Sequence, residues 1–298
     1  MTGPLYDPQP KNPRQNWLLR YLGVQQKYDA IMANALLDAA DDASRKIIDL
    51  VGDERIGSSA RRFQLQLARR AIHGTIKVLF EDLYKTIQAG QSDAALAALE
   101  AGWNDDRKVL NRLFRNRTDR GRWEDSMRQG AVRGVQSMMA RILETKKPLS
   151  QRVYYTRSLA NGSVDRIINS HLATGGSPYE LAKAVKSSIR PDTPGGVGYA
   201  AKRLGRTEVN NAFHAQAIND VRDKPWVESV KWNLSKVHVP KPGDKCEIYD
   251  GQLFGKDEVP EKPHPQCMCY ITPQMEAWDS VEANIIAGLY DKYIDDNL

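Results

Sequence analysis

Three observations predict a mainly α protein with a small α+β C-terminal domain. Apolar residues recur at threes and fours through most of the chain up to Val221. Gly and Pro clusters interrupt those stripes at intervals suited to helix ends. Near Val227 the texture changes to β-branched and aromatic residues, and all three cysteines lie beyond that point. The 298 residues suffice for one large or two modest domains, and 41% hydrophobic with 27% charged residues excludes collagen-like and wholly disordered chains.

Pro4, Pro8, Pro10 and Pro13 lock too many backbone angles for regular structure, so residues 1–13 read as an extended arm. From Trp17 to Val51, Leu18, Leu22, Tyr28, Met32, Leu36, Ala39, Ala43, Ile47 and Leu50 form a long helical stripe, which Gly52 and Gly57 stop. Ser58 or Ser59 caps a second helix with Phe63, Leu67, Ile72, Ile76, Leu79, Leu83 and Ile87 on its buried face, ending at Gly90. Ser92 then caps a shorter Ala-rich helix, and a helical basic segment runs through Phe114. Trp123 to Leu143 resumes the pattern until Lys146-Lys147-Pro148 breaks it. Asn161-Gly162 signals a turn before a short helix ending at Gly175-Gly176, and Ser177-Pro178 opens another that ends near Arg190. A loop at Pro191 to Gly198 precedes a helix from Tyr199 to Val221. Val227 to Val239 and Cys267 to Ile271 look extended, as a small sheet or hairpin, and Gln274 to Tyr293 returns to helix.

The formal charge of +6 is local. Arg107, Lys108, Arg112, Arg115, Arg117, Arg120 and Arg122 face only Asp119 between them, so this segment equals the charge of the whole chain. Such a stretch suits sequence-independent contact with double-stranded DNA, or with an acidic protein surface. After Pro273 the bias reverses, with six acidic residues against Lys292, and the two segments are expected to avoid each other's partners. No apolar run has the length of a membrane span and the N-terminus lacks a secretory pattern, so a cytosolic, membrane-free setting is expected.

Cys246, His264, Cys267 and Cys269 supply the donor types of a four-coordinate structural zinc site. A single residue between Cys267 and Cys269 strains chelation by both, and a disulfide or three buried thiols stand as alternatives. His238 lies near enough in sequence to substitute as a ligand, whereas His73 and His171 read as ordinary core or surface histidines. Glu208 and His214, six residues apart on one helix, point to different sides and do not suggest acid–base chemistry. Arg206 and Glu208 read as ion-pair residues orienting that helix against the small sheet, with Trp232 as its packing anchor. Gly251 to Lys256 lacks the spacing and hydroxyl of a phosphate loop.

The order Arg206-Thr207-Glu208, Trp232, Asp244, Cys246, Gly251 and His264-Pro265-Gln266-Cys267-Met268-Cys269 resembles the phage Mu F-like head morphogenesis family of minor capsid proteins. The likeness covers about residues 160 to 273, and departs where the family often has a second cysteine near Cys246 and a basic residue at position 268. It implies a structural, non-catalytic virion component, assembled in the host cytoplasm, which joins the portal protein and the inner or major capsid protein and touches packaged DNA. The expected division is an arm at 1–13, a helical domain at 14–160, a Mu F-like domain at 161–273 and an acidic helix at 274–298. The alternative is a virion-delivered enzyme, ADP-ribosyltransferase-like or nuclease, although few residues follow Pro273.

Overall fold

A computed structural model describes residues 13–52, 58–140, 147–236 and 242–298, together with His238 and Pro240. The expected arm lies outside the described residues except for Pro13, as do Gly57, Leu143, Lys146 and Val239. Helix accounts for 72% of the structure, in ten helices with one three-stranded antiparallel sheet among the described residues. The mainly α class with a small C-terminal α+β region is therefore what the chain adopts.

The helices are α1 (Pro13–Val51), α2 (Ser58–Asp105), α3 (Arg107–Leu113), α4 (Arg120–Ala140), α5 (Leu149–Thr174), α6 (Pro178–Ile189) and α7 (Val197–Arg222). Strand β1 (Val227–Asn233) leads to α8 (Lys245–Tyr249), β2 (Leu253–Phe254), β3 (Tyr270–Met275), α9 (Trp278–Ile286) and α10 (Asp291–Asp296).

Two expected breaks do not occur. Gly90 stays helical inside α2, because buried Ala94, Ala95, Ala98 and Leu99 carry the helix onward and Ala offsets the roughly 1 kcal/mol that a glycine costs. Asn161-Gly162 likewise lies within α5, whose stripe Leu149, Val153, Ala160, Val164 and Ile168 continues in phase across it. The stripe of α2 also begins in a different phase. Leu65 and Ala68 are buried and Phe63 is 61% exposed. The final helix divides in two at Gly288, which takes a left-handed φ of 73°. The start of α6 is as expected: the Ser177 hydroxyl accepts from Glu180 N–H and the Glu180 carboxylate accepts from Ser177 N–H, with Pro178 following.

The chain forms two compact units, each built from separated segments. One comprises Gln26–Ala89 and Met139–Glu208. Within it Arg206 forms a two-pronged pair with Asp29 of α1, and Arg152 of α5 clasps Glu208, with Nη2 to Oε2 at 2.9 Å. These residues thus pin α7 to helices, not to the sheet as the sequence suggested. His73 is likewise structural, 2.9 Å from Asp165, which also takes Arg69. Gly205 lets α7 approach closely, since a Cβ there would strike Met32 Sδ at 2.1 Å.

The other unit comprises Met1–Gln25, described from Pro13, with Gly90–Met138 and Val209–Leu298. Its sheet has the order β2-β1-β3, with Val230 opposite Phe254 on one side and Pro273 on the other. Pro273 is tolerated because β3 is an edge strand, where a missing donor faces no partner. Trp232, fully buried on β1, meets His214 of α7 edge-on at 5.4 Å and Tyr249 of α8 at 5.3 Å.

A buried charge cluster holds this unit together. Lys224 Nζ pairs with Asp106 and with Asp220, all three about 1% exposed or less, while Trp226 Nε1 donates to Asp106 Oδ1 at 2.7 Å. Asp106 precedes α3 but its carboxylate does not cap that helix, being committed to Lys224 and Trp226. Gly102 of α2 makes room, since a Cβ there would lie 2.1 Å from Asp220 Oδ2.

Candidate metal centre

Cys246 sits in the first turn of α8. The Asp244 side chain caps that turn by accepting from Cys246 N–H at 2.9 Å, which holds the thiol inward and keeps the Asp244 carboxyl below its usual range. Cys267 and Cys269 lie just before β3, and all three thiols are buried and reduced. Their sulfur atoms fall within 4.8 Å of one another, Cys246 and Cys267 being 3.4 Å apart.

His264 reaches the same place through a turn. Cys267 N–H donates to His264 C=O at 3.3 Å, with Pro265 second and Gln266 at φ 59° third, the pattern of a type II turn. His264 and Cys267 thereby emerge side by side, with His264 Nε2 3.2 Å from Cys246 Sγ. The two-residue spacing of a zinc knuckle is thus present between His264 and Cys267, not between two cysteines. That spacing was visible in the sequence.

The imidazole is also fixed in tautomer. His264 Nδ1 lies 3.0 Å from Pro265 C=O, and a carbonyl only accepts, so Nδ1 carries the proton and Nε2 offers its lone pair toward the thiols. Tetrahedral zinc, with bonds of about 2.0 to 2.3 Å, puts its ligand atoms roughly 3.4 to 3.8 Å apart. The 3.2 and 3.4 Å separations observed around Cys246 are close to that span. The three buried thiols therefore fit a structural metal ion, and the His264 imidazole, which approaches Cys246 but lies outside the group that the three sulfurs form, stands at its edge.

The backbone beside the thiols is held from three directions. The Cys267 carbonyl accepts from Tyr21 OH at 3.2 Å, Asn210 Nδ2 at 3.1 Å and Lys262 Nζ at 3.0 Å, and Lys262 also donates to Cys269 C=O at 2.5 Å. These three residues had no motif to flag them. The Cys269 thiol hydrogen-bonds to the Cys267 sulfur, which, with Lys262 alongside, draws the Cys267 thiol down to about 5. Burial and the neighbouring sulfur push Cys246 up to about 12, and Cys269 rises too because it donates to Cys267 and is buried. One thiolate stabilised by two thiols and an ammonium is the charge state that a cation would complete.

His238, the suggested substitute ligand, lies with Asp244 and His264 in a second group whose donor atoms are within 4.8 Å of one another. His214 is not part of either group. Its Nε2–H donates to Pro260 C=O at 2.9 Å, and burial holds its pKa down to about 3. Protons therefore bind the unfolded chain before the folded one. The stability that neutral His214 contributes is full above pH 6.5 and lost as pH falls toward 3, about 5 kcal/mol at the limit. His214→Phe should flatten the fall in Tm between pH 6.5 and 4, and an unchanged profile would reject this assignment.

Among the basic residues, Arg117 meets Asp119, Asp291 and Asp295, and Arg112 lies 3.6 Å from Glu282. Lys108 Nζ stands 3.4 Å over the Trp278 ring, and Arg120 pairs with Glu124. The acidic close of the chain is thus itself a partner of the basic segment, because α9 packs on α3. Arg107, Arg115 and Arg122 are exposed.

Comparisons with protein-family models, with curated proteins and with solved structures give no match to this chain. No described helix is long and apolar enough to cross a membrane.

Proposed function

We propose that the chain is a structural minor capsid protein of a tailed phage, acting in head assembly at the portal vertex or capsid interior, and that Cys246, His264, Cys267 and Cys269 hold a structural zinc ion. The observation that carries this reading is convergence. Asp244, Cys246, His264, Cys267 and Cys269, which are among the residues that carry the resemblance to the Mu F-like family, lie in two adjoining donor groups of the small sheet domain, bridged by the approach of His264 to Cys246. Zinc there would fasten α8 and the His264 turn to the start of β3, leaving a rigid surface for docking on the portal and capsid proteins. A non-catalytic role agrees with Glu208 being clasped by Arg152 and His214 being held neutral. Cryo-electron microscopy of the assembled particle tests the assignment: density at the portal or inner wall is expected, and a position outside the head overturns it.

Contact with packaged DNA is the weaker arm of this reading, because internal partners hold Lys108, Arg112, Arg117 and Arg120. Binding through Arg107, Arg115 and Arg122 alone should give a slope of log affinity against log salt of roughly −3. Replacing Asp119, Asp291 and Asp295 together by Asn should free Arg117 and steepen that slope by about one. A salt-independent affinity would remove DNA from the partners.

A further inference from the structure

Asp244 stands on the wrong side of His264 to be only a supporting group. A carboxylate that orients a metal-bound histidine accepts from the ring nitrogen pointing away from the ion. In His264 that nitrogen, Nδ1, is taken by Pro265 C=O, whereas Asp244 Oδ2 lies 3.6 Å from Nε2, the nitrogen that also faces Cys246. The Asp244 carboxylate is divided in function. Oδ1 accepts the Cys246 N–H, and Oδ2 is directed at two imidazoles, His264 at 3.6 Å and His238 at 3.9 Å. Glu247, one turn along α8, brings Oε1 to 3.2 Å from His238 Nε2. An acceptor-only carboxylate oxygen that faces two imidazole nitrogens at these distances is matched by a positive charge, carried by a ring proton or by a metal ion among them.

We propose that His238, Asp244 and His264, with Glu247 at the margin, form a second site for a divalent transition-metal ion of the zinc or cobalt kind, and that this site competes with the buried thiols for His264. The donor set sets the class of ion. Two imidazole nitrogens with carboxylate oxygens suit zinc, cobalt or nickel, whereas calcium and magnesium favour oxygen alone. The separations of 3.2 to 3.9 Å are those of neighbouring ligands around one such ion. Access differs from that of the thiols. The His238 and Asp244 side chains are nearly buried, but those of His264 and Glu247 are 36% and 41% exposed, so the site opens to solvent on one side and exchanges its ion readily.

His264 links the two sites. One Nε2 lone pair ligates one ion at a time, so an ion held by three thiols and His264 leaves the outer site with His238, Asp244 and Glu247. The outer ion then binds more weakly, by a factor in the range of roughly 5 to 150 that is usual for coupled sites. The proposal rests on the zinc reading only through this shared imidazole.

Titration of the metal-free full chain with cobalt(II), read by absorbance and by equilibrium dialysis, tests it. The first equivalent is expected to bring thiolate-to-cobalt charge-transfer absorption in the near ultraviolet. A second, weaker equivalent is expected to add visible bands without further charge transfer. His238→Ala should abolish the second equivalent and leave the charge transfer intact, and Glu247→Gln, which lies at the margin, should weaken it by several-fold. Cys269→Ser should diminish the charge transfer and keep the outer equivalent. A single equivalent with charge transfer that His238→Ala leaves unaltered overturns the second site and leaves the thiol site standing. A His238-dependent equivalent without any charge transfer supports the outer site and overturns the zinc reading instead.

Discussion

Cys267→Ser is expected to eliminate zinc binding at the thiol centre and to unfasten the small sheet domain. Cys267 is the hub of the centre: its sulfur touches Cys246, its carbonyl collects Tyr21, Asn210 and Lys262, and its amide closes the turn from His264. The serine oxygen keeps the backbone contacts but is a poor substitute for a thiolate toward zinc. A site with free zinc at a thousand times its dissociation constant stabilises the folded chain by about 4 kcal/mol, which for a unit of this size corresponds to a fall in Tm of roughly 10 °C when lost. Elemental analysis should find near one equivalent less zinc than in the wild type. Hydrogen exchange should accelerate across residues 244–275. Excess chelator should bring the wild type to the same Tm as the variant, and a chelator-insensitive wild type would refute a structural ion.

Lys224→Met should destabilise by about 3 to 5 kcal/mol, because it removes the one cation from a buried set of carboxylates. Lys224 is 1% exposed, and Asp106 and Asp220 are its immediate partners. Burial already raises Asp220 to about 6, and Asp105, whose carboxylate accepts from Trp17 Nε1, is raised likewise to about 6. A raised carboxyl pKa means that the folded chain holds protons the unfolded chain has released, so these two groups cost stability as pH climbs from about 4 through 6. Without the Lys224 ammonium Asp220 rises further, so both proteins lose this stability alike up to about pH 6 and the deficit of Lys224→Met should widen above it. His214 acts with the opposite sign in the same range, so the comparison belongs in a His214→Phe background. Asp220→Asn added to Lys224→Met should restore part of the loss, since it removes one of the two carboxylates that lose their cation. Additive losses in that double variant would show that the cluster is not coupled.

The helical framework was largely legible. Stripes at threes and fours, the Ser177-Pro178 start and the Gly175 stop place the end of α5 and the whole of α6 and α7 within a few residues of where they lie. The failures at Gly90 and Asn161-Gly162 share one cause: a local preference of about 1 kcal/mol was weighed without the burial that overrides it. Phe63 shows the same limit, because its apolar character matched a stripe whose true phase is set by Leu65 and Ala68.

By itself the sequence determined the donor chemistry of the centre: three thiols and an imidazole confined to one stretch, and the two-residue step between His264 and Cys267 that a type II turn requires. Only the tertiary structure decided which imidazole nitrogen is bare, that Asp244 shares its face, that Tyr21, Asn210 and Lys262 hold the Cys267 carbonyl, and that Lys224 draws Asp106 to Asp220. Spacing along a chain fixes what neighbours within a turn or two can do, whereas hydrogen-bond direction and the desolvation of charge depend on groups that folding brings from far away in sequence.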